Sequence, residues 1–257
     1  MAKILIEGEI YSPALIVFDK DGLLFDSKSF WAELARLRAA ELKRHLSARQ
    51  LCSWLKLCGV HYSVQGDGFP AITGVQSDGV TAVASEDEEA MITGTFLMQE
   101  LGLSWPAARE ISRGVYRESD KKLDLNRCAV PKKGFPDIFR RLYDAGIPYG
   151  VATSDDMQRA IGSISMFDDV EHISFIITPK EVGRNKPAPD MLELISERTG
   201  VLTSDMMMVG DSYVDVSMAR SVNAVGVGIP ETPAMREKMR PYASVIIDSL
   251  DQIEIVG

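Results

Sequence analysis

The sequence predicts an α/β fold, a three-layer, Rossmann-like parallel-sheet core with an inserted helical cap domain, and three observations predict it. From residue 131 onward short apolar runs alternate with segments of helical periodicity, the pattern of parallel strands joined by right-handed crossovers. A further apolar run, ALIVF at 14–18, stands far upstream of that series, and the stretch between them shows no comparable alternation. The chain has 257 residues, 46% hydrophobic and 25% charged, a globular composition long enough for one large domain carrying a sizeable insertion.

Taken in order, ILIEGEI near the start reads as an extra edge strand that the core does not require. The run at 14–18 ends at Asp19, as expected for a buried parallel strand entering a loop, here DKDGLLFDS. Over 27–57 the periodicity is helical, with Phe30, Leu34, Leu37, Leu42 and Leu46 on one face. Residues 59–84 are Gly-rich and read as irregular. Ser85 followed by Glu88 is a capping box that opens a helix running to Leu101, with Gly102 as its stop, and another helix follows Ser104 and Pro106. Then come a helix over 135–145 closed by Gly146, a strand over 148–152, a helix, a strand over 174–177, a helix over 188–199, strands over 206–209 and 224–229, and a last apolar run at 245–247. The core is therefore expected in 1–27 and 129–257, and the helical cap in 28–128.

A net charge of −9 and a pI near 5.0 exclude nucleic acid and anionic lipid surfaces as general partners. No run approaches the ~20 apolar residues of a membrane span. The opening MAKILIEGEI carries glutamates where a signal peptide needs apolar residues, so a cytoplasmic location is expected. Cys52, Cys58 and Cys128 form no CxxC pair, which suits a reducing compartment. His45, Cys52, Cys58 and His61 are close enough in sequence to suggest zinc, but the two cysteines lie among Leu51, Trp54, Leu55 and Leu57 and read as small hydrophobes.

Ligands of a parallel sheet bind beyond the carboxyl ends of its strands. Those positions here carry Asp19 and Asp21; Thr153 and Ser154; Lys186, in the turn NKPAP before a helix; and Asp211, with Asp215 four residues on. Each has an ordinary reading by itself: turn or cap for the aspartates and Thr153, surface charge for Lys186, a first-turn acid for Asp215. Together they bring carboxylates, a hydroxyl and a lysine to one edge. Clustered carboxylates repel unless a cation answers them, and oxygen-only ligands suit Mg²⁺, with the lysine and hydroxyl completing a phosphoryl pocket.

The runs LIVFDKDGLLFDS, GVATSDD, GRNKPAPDMLELI and MMMVGDSYVDVSMARSVNAVGVGI, in that order, resemble the four signatures of the haloacid dehalogenase superfamily, in particular its phosphoglycolate phosphatase-like and beta-phosphoglucomutase-like branch with a helical cap. The resemblance covers the first motif and most of 131–230; the cap matches by position, size and helical texture alone. It implies an Mg²⁺-dependent phosphatase acting on a small phosphorylated metabolite through an aspartyl-phosphate. Asp19 would be the nucleophile and Asp21 the general acid and then base. The Asp19 carboxylate, the Asp21 carbonyl and Asp211 would hold Mg²⁺, supported by Asp215. Thr153, the Ser154 amide and Lys186 would bind the nonbridging oxygens, while Lys20 would point elsewhere.

Asp21 disfavours dehalogenation, because a halide leaves without a proton. Phosphonate cleavage would call on a cap lysine, and Lys43 and Lys56 read as solvated helix-face charges. A phosphosugar mutase of the same fold, or a binding protein that keeps the fold without turnover, remain as alternatives. The cap is expected to close over the phosphate site, hinged at Ser27, Lys28 and near Ala129, and to set selectivity. The loop at 66–74 and Arg36, Arg38, Arg44 or Arg113 are candidates for that task, none singled out. The oligomeric state is left open.

Overall fold

The computed structural model describes residues 2–64, 66, 68–168 and 170–257. The chain begins with a hairpin, β1 (Lys3–Ile6) and β2 (Glu9–Tyr11), turned by Glu7 and Gly8, both at positive φ as a tight two-residue hairpin loop demands. ILIEGEI is thus two strands rather than one edge strand. With Glu254–Val256 the hairpin forms a separate three-stranded antiparallel sheet, seated by the fully buried Ile4 and Ile6. The run at 14–18 then enters the main sheet as β3 (Leu15–Phe18), buried at every position.

Contacts divide the chain into two units, Met1–Asp26 with Val130–Gly257, and Ser27–Ala129. The inserted unit holds α1 (Ser27–Leu42), α2 (Ala48–Leu57), a hairpin of β4 (Val60–Val64) and β5 (Pro70–Val75), α3 (Val80–Val83), α4 (Glu86–Leu101), α5 (Trp105–Lys122) and α6 (Leu125–Cys128). The single helix expected over 27–57 is therefore two. Ser47 caps α2, its hydroxyl accepting from the Gln50 amide while the Gln50 side chain accepts from the Ser47 amide. The apolar spacing of Leu42 and Leu46 runs across this break and conceals it. The stretch read as irregular contains the β4–β5 hairpin, with a register shift at His61/Tyr62 that blurs its alternation. Ser85 and Glu88 form the capping box expected of α4, and Gly102 ends that helix in the left-handed conformation.

The core of this unit gathers Leu42, Leu51, Trp54, Leu55, Cys58, Leu97 and Tyr116. Within it lies a buried polar chain. Arg38 pairs with Glu89 and stacks over the Tyr116 ring, Glu89 accepts from Thr81, and Thr93 binds both Trp54 Nε1 and the Tyr116 hydroxyl. Arg38 is thus committed to an internal carboxylate, Arg36 is bonded to Glu33, and Arg44 is paired with Glu41, which leaves these candidates for anion binding engaged. Lys43 is exposed and lies over the Phe69 ring rather than in bulk water alone. Of the loop at 66–74, Pro70 onward belongs to β5 and Asp67 lies outside the described residues.

After the insertion come α7 (Asp137–Asp144), β6 (Tyr149–Ala152), α8 (Met157–Ile164), β7 (Ile176–Ile177), α9 (Asp190–Thr199), β8 (Met206–Gly210), α10 (Tyr213–Ser221), β9 (Val225–Gly228), α11 (Pro233–Met239), β10 (Val245–Ile246) and β11 (Glu254–Val256). The main sheet is six-stranded and parallel, in the order β10-β9-β8-β3-β6-β7. Leu15, Val17, Met206 and Met208 pack on one face against Met191, Leu192 and Ile195 of α9 and Met218 and Ala219 of α10. On the other, Phe18 meets Phe139 of α7 at 5.2 Å between ring centroids, and Phe139 meets Tyr149 at 4.6 Å. Helices on both faces make the three-layer α/β fold. β3 lies at the point where later strands are added in opposite directions, β6 and β7 to one side and β8 to β10 to the other, and a sheet of this kind opens a crevice beyond its strand ends there. No described helix is long and apolar enough to cross a membrane.

Candidate active site

The ladder between β3 and β8 carries one residue past the strand. The Asp19 amide donates to the Val209 carbonyl at 2.9 Å, which fixes the backbone from which the Asp19 carboxylate projects. The chain then turns back, the Leu24 and Phe25 amides both donating to the Lys20 carbonyl. Gly22 makes this turn at φ +91°, and a Cβ there would lie 2.0 Å from Asp211 Oδ2. Both the backbone conformation and the close approach of Asp211 therefore demand glycine.

Asp211 follows β8 directly. Ser212 caps α10, and the Ser212 amide donates to Asp215 Oδ2 at 3.2 Å in a capping box, so Asp215 is oriented by the helix it begins. A Cβ on Gly210 would lie 2.3 Å from the Asp215 Cβ, so glycine at the end of β8 is what lets Asp215 pack there. Lys186, preceding α9, bridges the loops: its Nζ donates to Asp19 Oδ1 at 2.6 Å and to Asp215 Oδ1 at 2.7 Å, with the side chain only 2% exposed.

Asp19, Asp211 and Asp215 each offer a carboxylate oxygen, and these oxygens lie within 4.8 Å of one another. Burial pushes the Asp211 carboxyl well above the usual range, and Asp19 and Asp215 push it further while Lys132 opposes them. Burial raises Asp215 to about 6 against the pull of Lys186. For Lys186 burial works to lower the pKa, but Asp19 and Asp215 outweigh it and hold the ammonium above its ordinary value. Two buried carboxylates, Asp19 and Asp215, and the half-buried Asp211 thus face one lysine, which contacts the first two directly, a set that a divalent cation with oxygen ligands would balance. The donor chemistry fits Mg²⁺.

Asp21 sits beside this cluster, its Oδ1 paired with Lys20 rather than with Lys186. Lys20, expected to point elsewhere, instead donates to Asp21 Oδ1 at 2.5 Å and lies 3.0 Å from Asp155. Lys20 lies beyond the end of β3, so strand alternation does not govern it. Burial pushes Asp21 up to about 7, with Lys20 opposing, a value that lets a carboxyl hold a proton near neutrality. Thr153 ends β6, its amide donating to the Ile177 carbonyl and its hydroxyl accepting from the Asp155 amide at 3.0 Å. Ser154 follows, half-buried. Both lie at the end of the strand adjoining β3, and no described hydrogen bond or ion pair ties them to the Asp19 cluster. Lys132, which donates to the Gly22 carbonyl and pairs with Glu231 at 2.9 Å, belongs to the site's surroundings and carries no motif that marks it in the sequence; the buried Asp155 also belongs there and lies within the run GVATSDD without being singled out in it.

A model of the haloacid dehalogenase-like hydrolases matches residues 13–223 of the chain. The phosphoglycolate phosphatase of Escherichia coli strain K12 is 30% identical over 93 residues, 36% of this chain and 37% of that protein, so the chain spans little more than a third of the length of that relative. Among solved structures, one described as a predicted phosphoglycolate phosphatase from Haemophilus somnus superposes with a TM-score of 0.63 at 17% identity, covering 93% of this chain and 96% of that one. The beta-phosphoglucomutase of Clostridium difficile superposes with a TM-score of 0.57 at 14% identity, covering 94% and 93%. Identity this low speaks for a shared fold.

Proposed function

We propose, from the premise that the chain belongs to the haloacid dehalogenase-like hydrolases, that it is a phosphatase that hydrolyses a small phosphomonoester through an aspartyl-phosphate on Asp19. The observation that carries this reading is the cluster of Asp19, Asp211 and Asp215, with Lys186 paired to Asp19 and Asp215. When bound, Mg²⁺ would be held by the carboxylates of Asp19 and Asp211 and the Asp21 carbonyl and would neutralise charge between the anionic nucleophile and the anionic phosphate.

In the first step an Asp19 carboxylate oxygen bonds to phosphorus as the ester P–O bond breaks, and Asp21 gives its proton to the departing alkoxide. In the second, Asp21, now ionised, takes a proton from water as the water oxygen attacks phosphorus. Inorganic phosphate leaves, the Asp19 carboxylate is restored, and Asp21 is again protonated. Lys186, Thr153 and the Ser154 amide bind the nonbridging oxygens, Lys186 at the same time holding Asp19 in place through Oδ1. Asp215 anchors Lys186 from the other side. The acidic chain favours a small substrate over a nucleic acid, and its unpaired cysteines suit a cytoplasmic setting.

The test is phosphate release from a panel of phosphorylated metabolites that includes 2-phosphoglycolate, with Mg²⁺ and with chelator. Release that falls at least about tenfold in chelator is expected. No release from any compound, or release indifferent to chelator, would overturn the reading.

A further inference from the structure

A lysine two residues beyond a strand ordinarily carries its ammonium into water. Lys20 is 1% exposed, and its ammonium lies between two carboxylates, Asp21 Oδ1 at 2.5 Å and Asp155 Oδ2 at 3.0 Å. Asp155 is itself fixed. Its other oxygen, Oδ1, accepts from Arg159 Nε at 2.6 Å and from the Asp156 amide at 2.8 Å, and its side chain is fully buried. A chain of alternating charge therefore runs from Arg159 of α8 through Asp155 and Lys20 to Asp21, joining the loops that follow two neighbouring strands, β6 and β3.

This chain ends on an atom without a partner. Asp21 Oδ2 is buried and accepts no hydrogen bond. A buried oxygen left without a hydrogen bond costs about 1–3 kcal/mol. A network that fixes one oxygen of a carboxyl and leaves the other unpartnered is suited to exchanging a proton at the second.

We propose that Lys20 is a positioning residue for proton transfer by Asp21: its ammonium, anchored on Asp155, holds Oδ1 so that Oδ2 is the oxygen that gives the proton to the leaving group and takes it from water. The inference rests on the phosphatase reading above. Lys20 touches neither substrate nor reacting atoms, and it acts by keeping the Asp21 carboxyl within reach of the proton it transfers.

The leaving group separates this role from simple support of the fold. An alkyl phosphomonoester expels an alkoxide that needs a proton, whereas p-nitrophenyl phosphate expels a stable phenolate that does not. The quantity to compare is kcat/KM, which reports the first phosphoryl transfer. For Lys20→Met and for Asp155→Asn, kcat/KM is expected to fall about 100-fold on the alkyl ester hydrolysed best by the wild type and less than about threefold on p-nitrophenyl phosphate. Lys20→Gln, which keeps a donor for Asp21, should recover part of the loss. If Lys20→Met does not fold, Asp155→Asn and Lys20→Gln still carry the comparison. Equal loss on both esters, or no loss on either, would overturn the role of Lys20 with the phosphatase reading intact. Failure of the wild type to hydrolyse either ester would overturn both.

Discussion

Replacing Asp19 with asparagine is expected to lower turnover of any phosphomonoester by about four orders of magnitude or more, the scale on which a nucleophile's removal is felt. The change exchanges one oxygen for nitrogen at constant volume. It leaves the backbone bond from Asp19 to Val209 in place, and it leaves Lys186 its contact with Asp215. The fold should therefore survive, and steady-state phosphate release together with thermal unfolding checks both halves of the expectation. Turnover near the wild-type rate would mean that another group attacks phosphorus.

Lys186→Met is expected to have the second largest effect, and it acts on stability as well as rate. The ammonium is buried and in contact with Asp19 and Asp215 at once. Removing it takes away the donor proposed to bind the transferring phosphoryl group, which should cost about 10³ in kcat/KM. It also leaves two buried carboxylates without their shared partner, for which a loss of about 3 kcal/mol in urea unfolding is expected. A variant that loses rate but none of its stability would show that Lys186 is not what neutralises these acids.

The site could be read from the sequence where chemistry and strand punctuation coincide. Asp19, Lys186, Asp211 and Asp215 stand in loops beside short apolar runs or proline turns, and the structure brings them together. Lys20 was not legible in the same way. Its place between Asp19 and Asp21 suggests an outward side chain, whereas it lies beyond the end of β3 and is buried between Asp21 and Asp155. Asp155 and Asp156 adjoin in the sequence, and either could cap the helix that follows. Asp156 is the residue that caps α8, its carboxylate accepting from the Gln158 amide, while Asp155 is turned inward to Lys20 and Arg159.

The six parallel strands could be anticipated because buried strands of a parallel sheet are continuous apolar runs. In the inserted unit periodicity misled. Leu42 and Leu46 keep helical spacing across a break that Ser47 makes, and the β4–β5 hairpin is hidden by glycines and a register shift. The sheet of β11, β1 and β2 joins the two ends of the chain, a pairing that no local pattern encodes.

The most direct test is to ask where the phosphoryl group goes. Asp21→Asn should slow the second step, because the attacking water loses its base, while p-nitrophenyl phosphate can still phosphorylate the protein without a proton donor. Mixing that variant with p-nitrophenyl phosphate and Mg²⁺, quenching in acid and mapping the peptides by mass spectrometry should find one phosphoryl group on Asp19, and none in a variant that also carries Asp19→Asn. Nitrophenolate release with no phosphorylated peptide, or a phosphoryl group on any other residue, would contradict the assignment of Asp19 as the nucleophile.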